Sequence, residues 1–308
     1  MTESTTGKRI PAWGNLSLVA IISLQLLFLP GCCPTPESRP PIVGVAEVGL
    51  LVTDMEASSS FVQDFLGYAQ VVGGKDGRRT FRLSPKQYLT LIPTSTRNEE
   101  SMLSYVLLET TDLHGMARYL RSKGVCVPRS FGKDPLGEES FLVGDSPFCR
   151  CGFVQYPEGG EASRLTGVPL PDSGIAPRMS HVGFAVGDLQ KAFSFYRDIL
   201  GLSEVWRNPP LPENPSVVHM ALPDAPFTLE FLPYYRDLSY AERCSKNHIC
   251  LEVGSIFPCV GKLSARRAPE GVPRSSEIKV GHNGKRQANY FFPDGTRVEV
   301  MEDHLAEE

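Results

Sequence analysis

VAEVGLLVTDMEASSSFVQDFLGY (residues 45–68) and MSHVGFAVGDLQKAFSFYRDILGL (residues 179–202) are two versions of one pattern. At a constant offset of 134, Gly49 matches Gly183, Asp54 matches Asp188, Phe61 matches Phe195, Asp64 matches Asp198, and Leu66-Gly67 matches Leu200-Gly201. Self-similarity at a fixed offset marks a duplicated structural unit, so the chain is a tandem of two halves. Each copy opens with an apolar strand and reaches an Asp able to accept the free backbone N–H groups at a helix start. After Asp188, the residues Leu189, Ala192, Phe193, Tyr196 and Leu200 form a stripe of 3.6-residue period that stops at Gly201, which predicts a helix. Short strands are expected at 217–222 and 227–232. A weaker copy lies inside each half, beginning at YVLLETTDL (105–113) and HICLEV (248–253). The chain is thus read as α+β, with four strand–helix–three-strand modules in two pairs. Residues 157–177 (PEGGEASRLTGVPLPDSGIAP) lack periodicity and serve as the linker between 43–156 and 178–303.

Composition agrees with two globular halves. The 308 residues are twice a typical domain of about 150, and 41% hydrophobic with 21% charged residues excludes a disordered chain. A net charge of -4 without a long basic run argues against nucleic acid as a partner. Eight cysteines without a CxxC pair make neither a disulfide scaffold nor a zinc knuckle. Cys126, Cys149 and Cys151 in the first half, and Cys244, Cys250 and Cys259 in the second, are open to pairing within each half or to burial as free thiols.

The first residues read differently. Residues 16–29 (LSLVAIISLQLLFL) are an apolar run of 14 after Lys8 and Arg9. That is short of the roughly 17–25 residues a spanning helix needs, but suits the core of an export signal. Leu29-Pro30-Gly31-Cys32 resembles the bacterial lipoprotein box, which makes residues 1–31 a signal peptide and Cys32 a lipid-anchored N-terminus, with Pro30 unusual inside such a box. Residues 32–42 then act as a tether. On this reading the protein is exported to the cell envelope as a periplasmic lipoprotein whose only membrane contact is that anchor; a misassigned start codon would leave it cytoplasmic.

The openings HVGFAVGDLQKAFSFYRDILG and the closing PDGTRVEVME (293–302) resemble the vicinal oxygen chelate superfamily, which includes glyoxalase I, extradiol dioxygenases and bleomycin-resistance proteins. The resemblance covers residues 43–303. It implies four βαβββ modules paired into two open eight-stranded cup-shaped barrels, with one divalent metal ion (Zn, Fe, Mn or Ni) on the floor of a working cup. The implied ligands are His181, Glu230, His248 and Glu299. From His181 to Glu230 is 49 residues and from His248 to Glu299 is 51, so one His-to-Glu spacing occurs twice. Two imidazoles and two carboxylates suit a borderline divalent ion. Taken singly, either histidine would pass for a core histidine, and Glu299 for a salt-bridge partner of Arg297. The matching first-half positions are Glu47, Thr90, Tyr105 and Gly152, so that half is read as metal-free; its one histidine, His114, falls on a helix.

The leading expectation is a glyoxalase-like isomerase or lyase of a small-molecule substrate, with Glu299 or Glu230 loosening from the ion to act as general base. One alternative is an Fe(II) dioxygenase using His181, His248 and Glu299. A further alternative is a non-catalytic, resistance-type module that binds a ligand. His219, His282 (with Asn283 beside it) and Tyr290 are candidates to meet substrate. Arg207 and Arg286 could pair an anionic substrate but suit a solvated surface better, and His304 belongs to the tail.

Overall fold

The computed structural model describes residues 38–307 apart from 75, 98–100, 144–149, 211–212 and 269–276. The signal peptide, Cys32 and Cys149 lie outside the described residues. Among the described residues no helix is long and apolar enough to cross a membrane.

Two sheets of eight strands each carry the duplication. The first contains β1 (Ile42–Val52), β2 (Gln70–Gly73), β3 (Arg79–Ser84), β4 (Gln87–Pro93), β5 (Leu103–Thr110), β6 (Gly132–Lys133), β7 (Glu139–Leu142) and β8 (Arg150–Val154), in the order β2-β3-β4-β1-β5-β8-β7-β6. The second contains β9 (Arg178–Val186), β10 (Ser203–Asn208), β11 (Val217–Ala221), β12 (Thr228–Pro233), β13 (His248–Val253), β14 (Lys279–Val280), β15 (Arg286–Phe291) and β16 (Arg297–Glu302). Its order, β10-β11-β12-β9-β13-β16-β15-β14, repeats the first strand for strand. Each opening strand pairs in parallel with the last strand of its own module and antiparallel with the opening strand of the next. This is the fold class expected, with four βαβββ modules in two half-barrels.

The helices obey the same logic. Asp54, Asp112 and Asp188 each accept a backbone N–H three residues on, capping α1 (Met55–Ser60), α2 (Leu113–Ser122) and α4 (Leu189–Ala192). The helix expected after Asp188 is modified. Beyond α4 the turn widens into a π-helical segment, Phe193–Arg197, and Phe61–Phe65 does the same in the first copy. The widened turn puts Phe61 and Phe65 wholly into the core, where Phe61 meets Phe292 at 4.6 Å and Phe65 meets Tyr290 at 5.5 Å between ring centres. Burying each ring contributes on the order of 2–3 kcal/mol. Helices of the first half therefore pack on strands of the second, and one apolar cluster runs through both. Polar ties reinforce the contact: Thr53 donates to Asp294 from its backbone (2.9 Å) and its hydroxyl (2.6 Å), and Gln87 exchanges two bonds with the Met179 backbone.

Two expectations are corrected, and one left open is decided. The tether reading fails at its end: Ile42 is fully buried at the start of β1 and Arg39 pairs with Asp224 at 2.9 Å. The linker contains a helix, α3 (Glu161–Thr166), whose Ala162 packs against Tyr88 and Leu136 of the first half-barrel. The described cysteines 126, 151, 244, 250 and 259 are free thiols, all buried except Cys126.

Candidate metal centre

Strand alternation decides which side chains enter the second cup. Along β9, Val182, Phe184 and Val186 are buried in the core, which turns His181 and Gly183 to the opposite face. The same parity sends Glu230 inward from β12, His248 and Cys250 from β13, Arg297 and Glu299 from β16, and His219 from β11. Registers then bring them together: Glu230 lies opposite Gly183 and His219, His248 opposite Gly183 and Arg297, and Cys250 opposite His181 and Glu299. Gly183 is required here. A Cβ at that position would lie 1.9 Å from the His248 ring, so only glycine lets the imidazole lie across β9. The duplicate glycine, Gly49, makes the same room for Tyr105.

His181 Nε2 and His248 Nε2 stand 3.2 Å apart, and Glu230 Oε2 is 3.0 Å from the second and 3.8 Å from the first. Donors roughly 2.0–2.2 Å from one tetrahedral ion are about 3.3–3.6 Å from one another, close to these spacings. The tautomer makes the fit more specific. His248 Nδ1 lies 2.8 Å from the Lys246 carbonyl, where a ring N–H is needed, so we assign Nε2 as the ring's lone-pair nitrogen, with Arg297 Nη2 3.2 Å away. Glu230 Oε2, buried without a hydrogen-bond partner, points at that lone pair. Lone pairs facing one another are repulsive until a cation joins them, and these donors suit one. Glu230 Oε1 is held by His219 Nε2 at 3.1 Å, which fixes which oxygen faces the imidazoles.

Electrostatics keep the group in ligand form. Burial holds the His181 imidazole well below its ordinary value, hence neutral. Burial alone would raise the Glu230 carboxyl; the hydrogen bond from His219 is among the contacts that outweigh it and hold Glu230 well below the usual carboxylate range. Glu299 is turned aside. Its Oε2 is 3.2 Å from Arg297 Nη1 and its Oε1 3.8 Å from Cys250 Sγ, while His181, Cys250 and Glu299 offer ligand atoms within 4.8 Å of one another. The two candidate ligand groups thus share His181.

Of the other candidates, His219 and His282 line the cup with Asn283, Trp206 and Gln287 around a cavity of about 260 Å³, which shares Trp206, His219 and Asn283 with a neighbouring cavity of about 250 Å³ reaching His181. Tyr290 does not line it. It pairs with core-facing Val298, is 1% exposed and packs on Phe65, so the expectation that it meets substrate is withdrawn. Arg207 pairs with Glu204, Arg286 with Glu302, and His304 with Asp303, all away from the ligand cluster. Sequence reading did not place Arg297 and Cys250 in the site; their position two residues from Glu299 and His248 on the same strands was the available signal.

The first half shows what replaced such a site. Register places Glu47, Thr90, Tyr105 and Gly152 where His181, Glu230, His248 and Glu299 stand. The Tyr105 hydroxyl donates to Glu47 Oε1, and Glu47 is fully buried. Burial pushes the Glu47 carboxyl up to about 7, against hydrogen bonds from Thr90 and Tyr105 that lower it. Because the folded value lies above the unfolded one, the stabilisation is complete below about pH 4.5 and is lost as pH rises through 7. The shift corresponds to roughly 3 kcal/mol. Denaturant titrations at pH 5 and pH 8.5 are expected to show Glu47→Gln gaining on the native chain by up to that amount at the higher pH. Parallel pH profiles for the two proteins would contradict the assignment.

Comparison with known proteins agrees with the geometry. Residues 178–300 match the family described as Glyoxalase/Bleomycin resistance protein/Dioxygenase superfamily. Over 115 residues the chain is 38% identical to the mitochondrial methylmalonyl-CoA epimerase of Homo sapiens and 37% identical to that of Mus musculus, in each case 35% of this chain and 62% of the relative. The chain therefore spans about three fifths of the length of the curated relatives it matches. Among solved structures, the 2,3-dioxygenase LapB from Pseudomonas sp. KL28 superposes with a TM-score of 0.68 at 13% identity, over 88% of this chain and 96% of that one. Homoprotocatechuate 2,3-dioxygenase from Brevibacterium fuscum gives 0.62 at 15% identity, over 87% and 82%. At such identities the likeness is one of fold. The family match thus covers the second half-barrel, residues 178–300, and a sheet of the same strand order stands ahead of it.

Proposed function

We propose that the second cup holds one divalent ion on His181, Glu230, His248 and Glu299 and moves a proton at the carbon between two chelated oxygens, as an isomerase of the epimerase type. The observation that carries this reading is the buried Glu230 Oε2, without a hydrogen-bond partner and 3.0 Å from the lone-pair Nε2 of His248. When bound, the ion supplies Lewis acidity to neighbouring substrate oxygens, which acidifies the adjacent C–H. The chain does the rest. Glu230 on β12 and Glu299 on β16 stand on opposite sides of the β9–β13 pair that carries the histidines, so one carboxylate can take the proton from one face and the other return it to the opposite face. His219 orients Glu230, and Trp206 with Phe227 adds apolar surface to the lining of the cup. The identity of the ion is left to the donor set, whose nitrogen and oxygen atoms suit Zn, Fe, Mn or Ni. With residues 1–31 read as a leader, the proposal places this chemistry in the cell envelope.

The relatives are named for methylmalonyl-CoA, which makes it the first probe. In D2O with added divalent metal, the chain is expected to place deuterium at C2 of methylmalonyl-CoA without consuming oxygen. The two-sheet architecture shared with LapB favours a second reading, an Fe(II) dioxygenase on His181, His248 and Glu299. Oxygen uptake with a catechol, and no deuterium exchange, would establish that reading in place of the first.

A further inference from the structure

The cup contains a guanidinium whose partners are groups that the ion would engage. Arg297 Nη1 is 3.2 Å from Glu299 Oε2, and Arg297 Nη2 is 3.2 Å from His248 Nε2, the acceptor nitrogen of that ring. Its Nε is buried with no partner at all. The side chain is only 15% exposed, and what opening it has faces the cavity of about 260 Å³ that a substrate would enter. His248 and Glu299 are groups the ion takes in the function proposed above, on which this inference rests. Once they are engaged, Arg297 stands beside a second cation, with unused donors and with the Glu299 charge shared between the two. Such a buried arrangement is costly unless an anion joins it. The free donors include the fork that matches a carboxylate with two parallel hydrogen bonds. Lys246, at the end of α5 (Tyr240–Lys246), lines the same cavity of about 260 Å³ and adds a second positive charge.

We propose that Arg297, seconded by Lys246, is the specificity residue of the cup: it binds a carboxylate of the substrate beside the ion, so the site selects carboxylate-bearing chelators over neutral ones. In this arrangement Arg297 has two alternating sets of partners. Without an ion it pairs with Glu299 and the His248 ring, and with ion and substrate it pairs with the substrate carboxylate.

Calorimetric titration of the full-length, zinc-loaded chain with malonate, and with uncharged malonamide as control, tests this. Malonate is expected to bind at least about tenfold more tightly than malonamide. Arg297→Leu is expected to remove that advantage, Arg297→Lys to restore part of it, and Lys246→Met to reduce it a fewfold. Zinc content, measured on each variant, reports an intact cup and is expected to stay unchanged or to rise in Arg297→Leu, where a competitor for His248 has been removed. Full zinc content with malonate affinity indifferent to both Arg297→Leu and Lys246→Met would overturn the carboxylate clamp alone. Failure of the native chain to take up zinc or another divalent ion would overturn the ion reading and the clamp with it.

Discussion

His248→Ala is expected to cost the second cup its ion. The native chain should carry about one divalent ion, and the variant's affinity should fall by at least about 100-fold, or roughly 2.8 kcal/mol. Three features of the structure combine at this residue. Its Nδ1–H is tied to the Lys246 carbonyl, its Nε2 is 3.2 Å from His181 Nε2 and 3.0 Å from Glu230 Oε2, and the ring fills the space that Gly183 leaves open. Removing the imidazole deletes a donor and leaves the Glu230 carboxylate buried with less to compensate it. Elemental analysis of the purified protein, beside a thermal melt, separates loss of metal from loss of fold. The fold should survive in part, because the core face of β13 is carried by Ile249, Leu251 and Val253. Gly183→Ala should reproduce the loss without touching a ligand, since its Cβ displaces the same ring. Undiminished metal in His248→Ala would remove that residue from the site.

Glu299→Gln carries the second large effect. Glutamine keeps the shape of the side chain but cannot accept a proton, so proton transfer through this group should fall by about 10²–10⁴-fold in turnover. Metal affinity should fall less, because His181, Glu230 and His248 remain. Deuterium exchange into methylmalonyl-CoA, run beside metal content, reads both quantities. If Glu299 and Glu230 serve opposite faces, the variant should still exchange slowly with one stereoisomer while interconversion of the two is lost. Equal loss of metal and turnover would instead mean that Glu299 acts only as a ligand.

Much of this was legible in the chain because the fold is written twice. The 134-residue offset aligned Gly49 with Gly183, and the structure shows both serving one purpose, the passage of a ring from the neighbouring strand. The paired His-to-Glu spacings survive folding because each joins two strands of one module whose parallel register is fixed by the same topology. What remained hidden depended on parity. On β15 the side chains alternate, and whether Asn289 or Tyr290 faces the cup turns on the hairpin around Asp294-Gly295, whose geometry the spacing alone does not determine. Tyr290 is accordingly in the core. The π-helical turns were invisible because an apolar stripe of 3.6-residue period tolerates one inserted residue without losing its apolar face. Helix α3 was obscured by the glycines and prolines on either side of it, although Ala162 and Leu165 belong to the apolar packing around Tyr88. Arg297 could be read as a partner for Glu299; that it also reaches His248 required the register of β13 against β16.

The most direct test of the central claim is a crystal of the full chain grown with zinc and measured at the zinc absorption edge. An anomalous peak is expected in the second cup about 2.0–2.2 Å from His181 Nε2, His248 Nε2 and Glu230 Oε2, with Glu299 turned from Arg297 toward the ion, and no peak among Glu47, Thr90 and Tyr105. A second cup without a peak, or a peak beside Glu47 instead, would contradict that claim.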